Sequence, residues 1–226
     1  MSLWIKICGN TLLEDAQLAV EAGADAVGFV FAPSPRRVTA AEAAAIVRHL
    51  PAIVEKIGVF VDAPVEEIYS IVRECGLTGV QLHFDAKPEF PAKLRELLGP
   101  QLRILRVVHF DAEAAELIKE QVAGHDLNPH INAVMVDSRT TTAVGGTGAA
   151  FDWAIARKTL FQNAQARKRR IAAGGLNPEN VAEAIVTLHP WGVDVVSGVE
   201  SAPGKKDPEK VRRFVAHARA TKSERK

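Results

Sequence analysis

Eight times along its 226 residues this chain repeats one rhythm, a short apolar run rich in Val and Ile followed by a longer segment of helical period. The runs are Leu3 to Ile7, Ala26 to Phe31, Lys56 to Val61, Val80 to His83, Arg103 to Val108, Ala133 to Val136, Arg170 to Ala173 and Val193 to Val196. Each reads as a parallel strand because it is apolar on both faces. The segments between them carry helix start and stop signals. Thr39 with Glu42 makes a capping box, and Pro64, Pro178 and Pro208 stand where a first turn tolerates a missing N–H. Gly23, Gly76, Gly99 and Gly192 follow helical runs, as expected of left-handed helix ends. Sharing 226 residues among eight units leaves about 28 each, close to what one strand and its crossover helix require. No Pro/Gly/Ser linker interrupts the rhythm. The expectation is an α/β fold, a single (β/α)8 TIM barrel over residues 1–219, with 220–226 a frayed basic tail.

Composition sets the bounds within which such a barrel works. Apolar residues are 47% and charged residues 24%, and the formal charge is +1. A charge so near balance supplies no broad field for nucleic acid or anionic lipid, so an anion site must be local. Met1 to Ile7 is broken by Lys6 and is too short for a secretory signal, and no stretch predicts a membrane span. Cys8 and Cys75 cannot build a disulfide framework, which suits a reducing cytoplasm.

In a barrel of this kind the catalytic groups stand at the C-terminal ends of the strands and in the loops that follow. Six polar clusters fall there: Cys8-Gly9-Asn10-Thr11, Ser34-Pro35-Arg36-Arg37, His83, Asp137-Ser138-Arg139, Gly174-Gly175 and Ser197-Gly198. Glycines after the seventh and eighth strands let backbone N–H groups approach an anion, and phosphate is the natural ligand. The plainer reading of Gly174 and Gly198 is a pair of tight turns. Cys8 has two readings, a thiol whose acidity is tuned by its surroundings or a small buried apolar residue. Cys75, in the last turn of the third helix, takes the second. Asp137 is a general acid or a loop carboxylate, and its place at the mouth favours the first. A thiol and a carboxyl across a phosphate-binding mouth make a base and an acid able to move protons on a sugar phosphate. Neither a metal nor a cofactor is expected. His125 and His130 are read as loop residues without a ligand companion, His49, His109, His189 and His217 are scattered, and Cys8-Gly9-Asn10-Thr11 is not a three-glycine dinucleotide turn.

Taken in order, the motifs of the chain resemble the phosphoribosylanthranilate isomerase family over nearly its whole length. They are Lys6-Ile7-Cys8-Gly9-Asn10-Thr11, Glu21 to Phe31, Ser34-Pro35-Arg36, Gly58-Val59-Phe60-Val61, Gln81-Leu82-His83, Gly145-Gly146-Thr147-Gly148 with Phe151-Asp152-Trp153, Gly174 to Val181, Ser197-Gly198-Val199-Glu200 and Pro203 to Asp207. The resemblance implies an Amadori rearrangement in tryptophan biosynthesis, on a small sugar-phosphate substrate. It implies Asp137 as the acid that protonates the furanose ring oxygen, Cys8 as the base that removes the C2′ proton, and Arg36 at the anthranilate carboxylate. Gly174, Gly175, Ser197 and Gly198 would hold the phosphate, Gly145 and Gly146 belong to a loop closing over the substrate, and His83 and Asp194 frame the pocket. Monomer and homodimer are both compatible with it. Three positions depart from the family pattern: Asn10 stands for an aliphatic residue, Phe84 for a glycine and Val196 for a serine.

Two rival readings are distinguishable. Another phosphate-binding barrel, such as a ribulose-phosphate epimerase or a histidine-pathway isomerase, would present His and Asp metal ligands or two carboxylates where this chain has Cys8 and Asp137. A barrel that merely binds a phosphorylated ligand would bind without turnover, and intact Cys8, Asp137 and Arg36 argue against it.

Overall fold

The computed structural model describes residues 2–137, 153–162 and 166–221. Eight parallel strands close on themselves in the order of the sequence: β1 (Trp4–Ile7), β2 (Ala26–Val30), β3 (Glu55–Phe60), β4 (Gly79–Leu82), β5 (Arg103–His109), β6 (Ala133–Asp137), β7 (Arg169–Ala173) and β8 (Gly192–Val195). Closure is a ladder between the first and last of them, with Trp4 opposite Gly192 and Ile7 opposite Val195. Helices α1 (Leu13–Glu21), α2 (Ala40–Val47), α3 (Val65–Cys75), α4 (Phe90–Leu98), α5 (Ala115–Leu127), α6 (Trp153–Ala156), α7 (Val181–Leu188) and α8 (Pro208–Ala220) occupy the crossovers and the end. The expected α/β barrel is thus the observed fold. The chain enters α6 and continues as a π-helical turn over Arg157–Phe161. A small antiparallel pair, β9 (Glu200–Ala202) and β10 (Lys205–Lys206), follows β8 and has no counterpart in the sequence reading.

Side-chain parity divides the apolar residues into two bodies. Strand residues alternate between faces, so Ile5, Ile7, Val27, Phe29, Val80 and Leu82 point outward and pack in one continuous layer beneath the helices. Trp4, Ala26, Ile57, Leu105, Val107, Ala133, Met135, Ile171 and Ala173 point inward and fill the lower barrel. The same alternation carries Lys6, Cys8, Gln81, His83, His109, Asp137 and Asp194 inward at successive heights.

Most helix signals act as expected. Thr39 caps α2 with both halves of the capping box formed, Pro64 caps α3 and Pro208 opens α8. Gly76 ends α3 in the left-handed conformation. Three signals act otherwise. Gly99 ends α4 at φ 87° and ψ 171°, outside the left-handed helical region. Pro178 lies ahead of the α7 N-cap, Asn180, and its carbonyl accepts from His217. Gly192 is a strand residue. His189 makes the left-handed end of α7 at φ 49° instead, while a side chain at 192 would run into Trp4. His125, read as a loop residue, lies in the last turn of α5. Of the expected tail, residues 222–226 lie outside the described residues.

Candidate active site

The C-terminal mouth of the barrel holds a cavity of about 410 Å³. Cys8, Arg36, His83, Asp137, Gly174, Gly175, Asp194 and Ser197, all singled out from the sequence, line it together. Gly198 is not among its walls. It turns the chain behind them, where a methyl group would overlap the Leu176 carbonyl oxygen. Gly145 and Gly146 lie outside the described residues.

Cys8 follows β1, and its backbone N–H donates to Val195 O at 2.9 Å, so barrel closure itself holds it at the mouth. Its side chain is buried, and room for it exists because the facing β2 residue is Gly28, where a methyl group would overlap Sγ and press on Lys6 Cε. Lys6, two residues earlier and inward by the same parity, has no solvent exposure. Its Nζ donates to Gln81 Oε1 and to Asp194 Oδ1, both at 2.9 Å. An ammonium so placed must be paired, since an isolated buried charge is prohibitive. Burial disfavours the charged Lys6, but Asp194 and the Cys8 sulfur outweigh it and hold its pKa above the ordinary lysine value. Burial pushes the Cys8 thiol up, with Asp194 adding to the rise, while Lys6 and Lys206 pull it down. The thiol therefore has a cation beneath it, supplied by a residue for which the sequence reading had no role. Asp194, expected to orient groups below the pocket, is the anchor of that cation.

Asp137 ends β6, buried, and lines the same cavity as Cys8, three strands away around the closed barrel. His83 and His109, at the ends of β4 and β5, face one another with Nε2 atoms 3.2 Å apart. His109, expected to be an ordinary strand-end histidine, is thus a wall of the site beside Asp137, its Cα partner in the β5–β6 ladder.

Arg36 enters from the loop after β2. Its Nε and Nη2 make a two-point contact with Glu200, at 2.8 and 2.6 Å. The Glu200 contact, favouring the charged form, raises the Arg36 pKa against the effect of burial. Glu200 is buried, which works against its carboxylate, yet Arg36 and Lys206 hold its carboxyl below the usual carboxylate range. Lys206 Nζ reaches Glu200 Oε1 at 3.1 Å and the Cys8 carbonyl at 2.6 Å. The β9–β10 pair thereby locks the guanidinium in one pose. Glu200 and Lys206 were visible only as members of motifs, and their buried, paired state is their functional signal. Arg37, next to it in the chain, is exposed.

The three departures are accommodated. Asn10 is fully buried and its Nδ2 donates to the Ile7 and Gly28 carbonyls, tying β1 to β2. Phe84 turns from the cavity and meets Phe90 edge-on at 5.4 Å. Val196 lines the wall near Gly9. Cys75 is buried, donates to Ala40 O, and burial pushes its thiol up to about 11, as befits a structural residue.

Residues 5–217 match the family described as N-(5′-phosphoribosyl)anthranilate (PRA) isomerase. A relative from Pelobacter propionicus, named N-(5′-phosphoribosyl)anthranilate isomerase, is 44% identical over 221 residues, covering 97% of each chain. The crystal structure of phosphoribosyl anthranilate isomerase from Thermotoga maritima superposes with a TM-score of 0.83 at 36% identity, covering 96% of this chain and 98% of that one. A second isomerase structure, in complex with reduced 1-(o-carboxyphenylamino)-1-deoxyribulose 5-phosphate, superposes with a TM-score of 0.79 at 35% identity over the same shares. With fold, site and sequence agreeing over this much of its length, the chain belongs to the phosphoribosylanthranilate isomerase family of tryptophan biosynthesis.

Proposed function

We propose that the cavity at the barrel mouth converts N-(5′-phosphoribosyl)anthranilate to 1-(2-carboxyphenylamino)-1-deoxyribulose 5-phosphate by an Amadori rearrangement, with Asp137 as acid and Cys8 as base. The observation that carries this reading is one cavity lined both by the thiol that follows β1 and by the carboxyl that ends β6. Asp137 delivers a proton to the furanose ring oxygen as the C1′–O bond breaks and the Schiff base forms. Cys8 then removes the C2′ proton, and the electrons flow toward the iminium nitrogen to give the enol-amine that tautomerises to the ketone. Lys6 and Lys206 ease formation of the thiolate that this step requires.

Arg36 takes the anthranilate carboxylate in a charge-assisted contact, its free rotation already removed by Glu200. The backbone of Gly174, Gly175 and Ser197 receives the phosphate. Support comes from the place of all three on the wall formed after β7 and β8, with Gly174 and Gly175 at φ 84° and 63°. Gly198 serves this wall from behind by letting the turn close against Leu176. His83 and Asp194 complete the pocket. A cytoplasmic setting is supported by Cys8 and Cys75 being unpaired and by the absence, among the described residues, of any helix long and apolar enough to cross a membrane.

Cys8→Ala and Asp137→Ala should each lower kcat by roughly a hundredfold or more with the fold retained. The assay is the fluorescence of freshly made phosphoribosylanthranilate, alongside circular dichroism. Near-normal turnover in either variant removes that residue from its role. Arg36→Ala should raise KM for the substrate while leaving inhibition by inorganic phosphate within about twofold, since the contact to the anthranilate carboxylate is lost and the glycine wall proposed for phosphate is not altered. Equal losses for both ligands would refute the assignment.

A further inference from the structure

We propose that His83, His109 and Asp137 form a binding site for a divalent transition metal of the zinc type, and that the bound ion switches the isomerase off. The silencing half of this proposal rests on the reading of Asp137 as the acid; the binding half does not. One donor atom from each of the three side chains lies within 4.8 Å of the other two. The Nε2 atoms of His83 and His109 are 3.2 Å apart, with ring centroids at 4.9 Å and planes tilted by 37°. Two ligands held about 2.1 Å from a tetrahedral ion stand about 3.4 Å from each other, so the imidazole pair already has the spacing of neighbouring ligands. The Asp137 oxygen has to close by at most about 1.4 Å from the 4.8 Å limit, a movement within reach of a side-chain rotation.

His109 and Asp137 end β5 and β6 and are direct ladder partners, and His83 follows β4 with its backbone N–H held by the Phe60 carbonyl. A sheet, not a loop, therefore sets the tripod. Two imidazoles and one carboxylate form the nitrogen and oxygen set that zinc, cobalt or nickel selects, whereas calcium and magnesium prefer oxygen alone. Imidazole nitrogens that face one another at 3.2 Å have room for one proton between them. His109 is exposed, so an ion reaches the pair from solvent. Three protein ligands leave the fourth position open toward the cavity. With the metal in place the Asp137 oxygen is bonded to a dication and holds no proton for the substrate, so turnover stops without any change of fold.

The test uses the chelator-treated full chain, Zn2+ by equilibrium dialysis, and Co2+ as a spectroscopic probe. Wild type and Cys8→Ser should each bind one Zn2+, and Co2+ should give tetrahedral visible bands in both without an intense thiolate charge-transfer band. His109→Ala should bind Zn2+ at least about tenfold more weakly, and the Zn2+ concentration that halves its turnover, measured against its own metal-free rate, should rise by the same factor. Asp137→Asn and His83→Asn should weaken binding likewise. Equal Zn2+ affinity in wild type and His109→Ala, or loss of binding in Cys8→Ser, would overturn the site and leave the acid assignment of Asp137 untouched. Full turnover with Zn2+ bound to the three residues would overturn the silencing and, with it, the acid role.

Discussion

A side chain at Gly28 would overlap the Cys8 sulfur and crowd Lys6, so the bare glycine leaves room for the cation to lie beneath the thiol proposed as the base. Burial alone would leave it a poor one, because a thiolate in an apolar pocket loses its hydration. Lys6 opposes this from below. The sign of the consequence follows directly. A base must be deprotonated, so kcat/KM climbs with pH through the thiol pKa, and removing the neighbouring cation raises that pKa. Lys6→Met should therefore move the acidic limb of kcat/KM, and the pH midpoint of iodoacetamide alkylation at Cys8, upward by about one unit or more. An unmoved midpoint in both profiles would show that Lys6 serves only to neutralise Asp194. Of this arrangement the sequence displayed the thiol and its strand position. The cation was hidden in an apolar run, where a lysine reads as an interruption and not as the floor of a site.

At the scale of elements, local signals were legible where the physics is local. The capping box on α2 satisfies helix N–H groups within four residues of chain, and Thr39→Ala should cost about 1 kcal/mol in urea unfolding. Signals that depend on neighbours were misleading. Gly192 looked like a helix end, but Trp4 on the adjacent strand needs its missing side chain, and His189 took the left-handed position instead. Partnerships between elements were not legible at all. Arg170 on β7 and Asp126 on α5 form a two-point ion pair at 2.9 and 2.6 Å, with side chains only 5% and 6% exposed. Breaking such a pair strands a charge, so Asp126→Ala should lose about 3–5 kcal/mol. A loss below about 1 kcal/mol would mean that the arginine finds solvent.

For the whole molecule, His125 ties stability to pH in mild acid. His125 stands half-buried near Arg106, and burial first, then that guanidinium, lower its pKa to about 4. In the unfolded chain it titrates near about 6.5. Above that pH both states are neutral and the residue contributes nothing. Between about 6.5 and 4 only the unfolded state binds the proton, so stability falls as pH falls. Glu200 adds a further loss at lower pH, as it is protonated through its depressed pKa. His125→Gln should flatten the urea midpoint between pH 6.5 and 4 and leave the loss below it. An unchanged slope would assign the decline to carboxylates.

The amino-acid sequence by itself determined the eight-part rhythm and the strand ends at which polar groups gather, Cys8 and Asp137 among them. Each of these is a property of a short stretch of chain, set by a period of two or 3.6 residues and readable one segment at a time. Only the closed barrel decided who meets whom. Lys6 finds Asp194 across 188 positions, Arg36 finds Glu200 across 164, and His83 finds His109 across 26. Those meetings depend on strand register and on the stagger with which β8 returns to β1, and these arise from the packing of all eight strands at once.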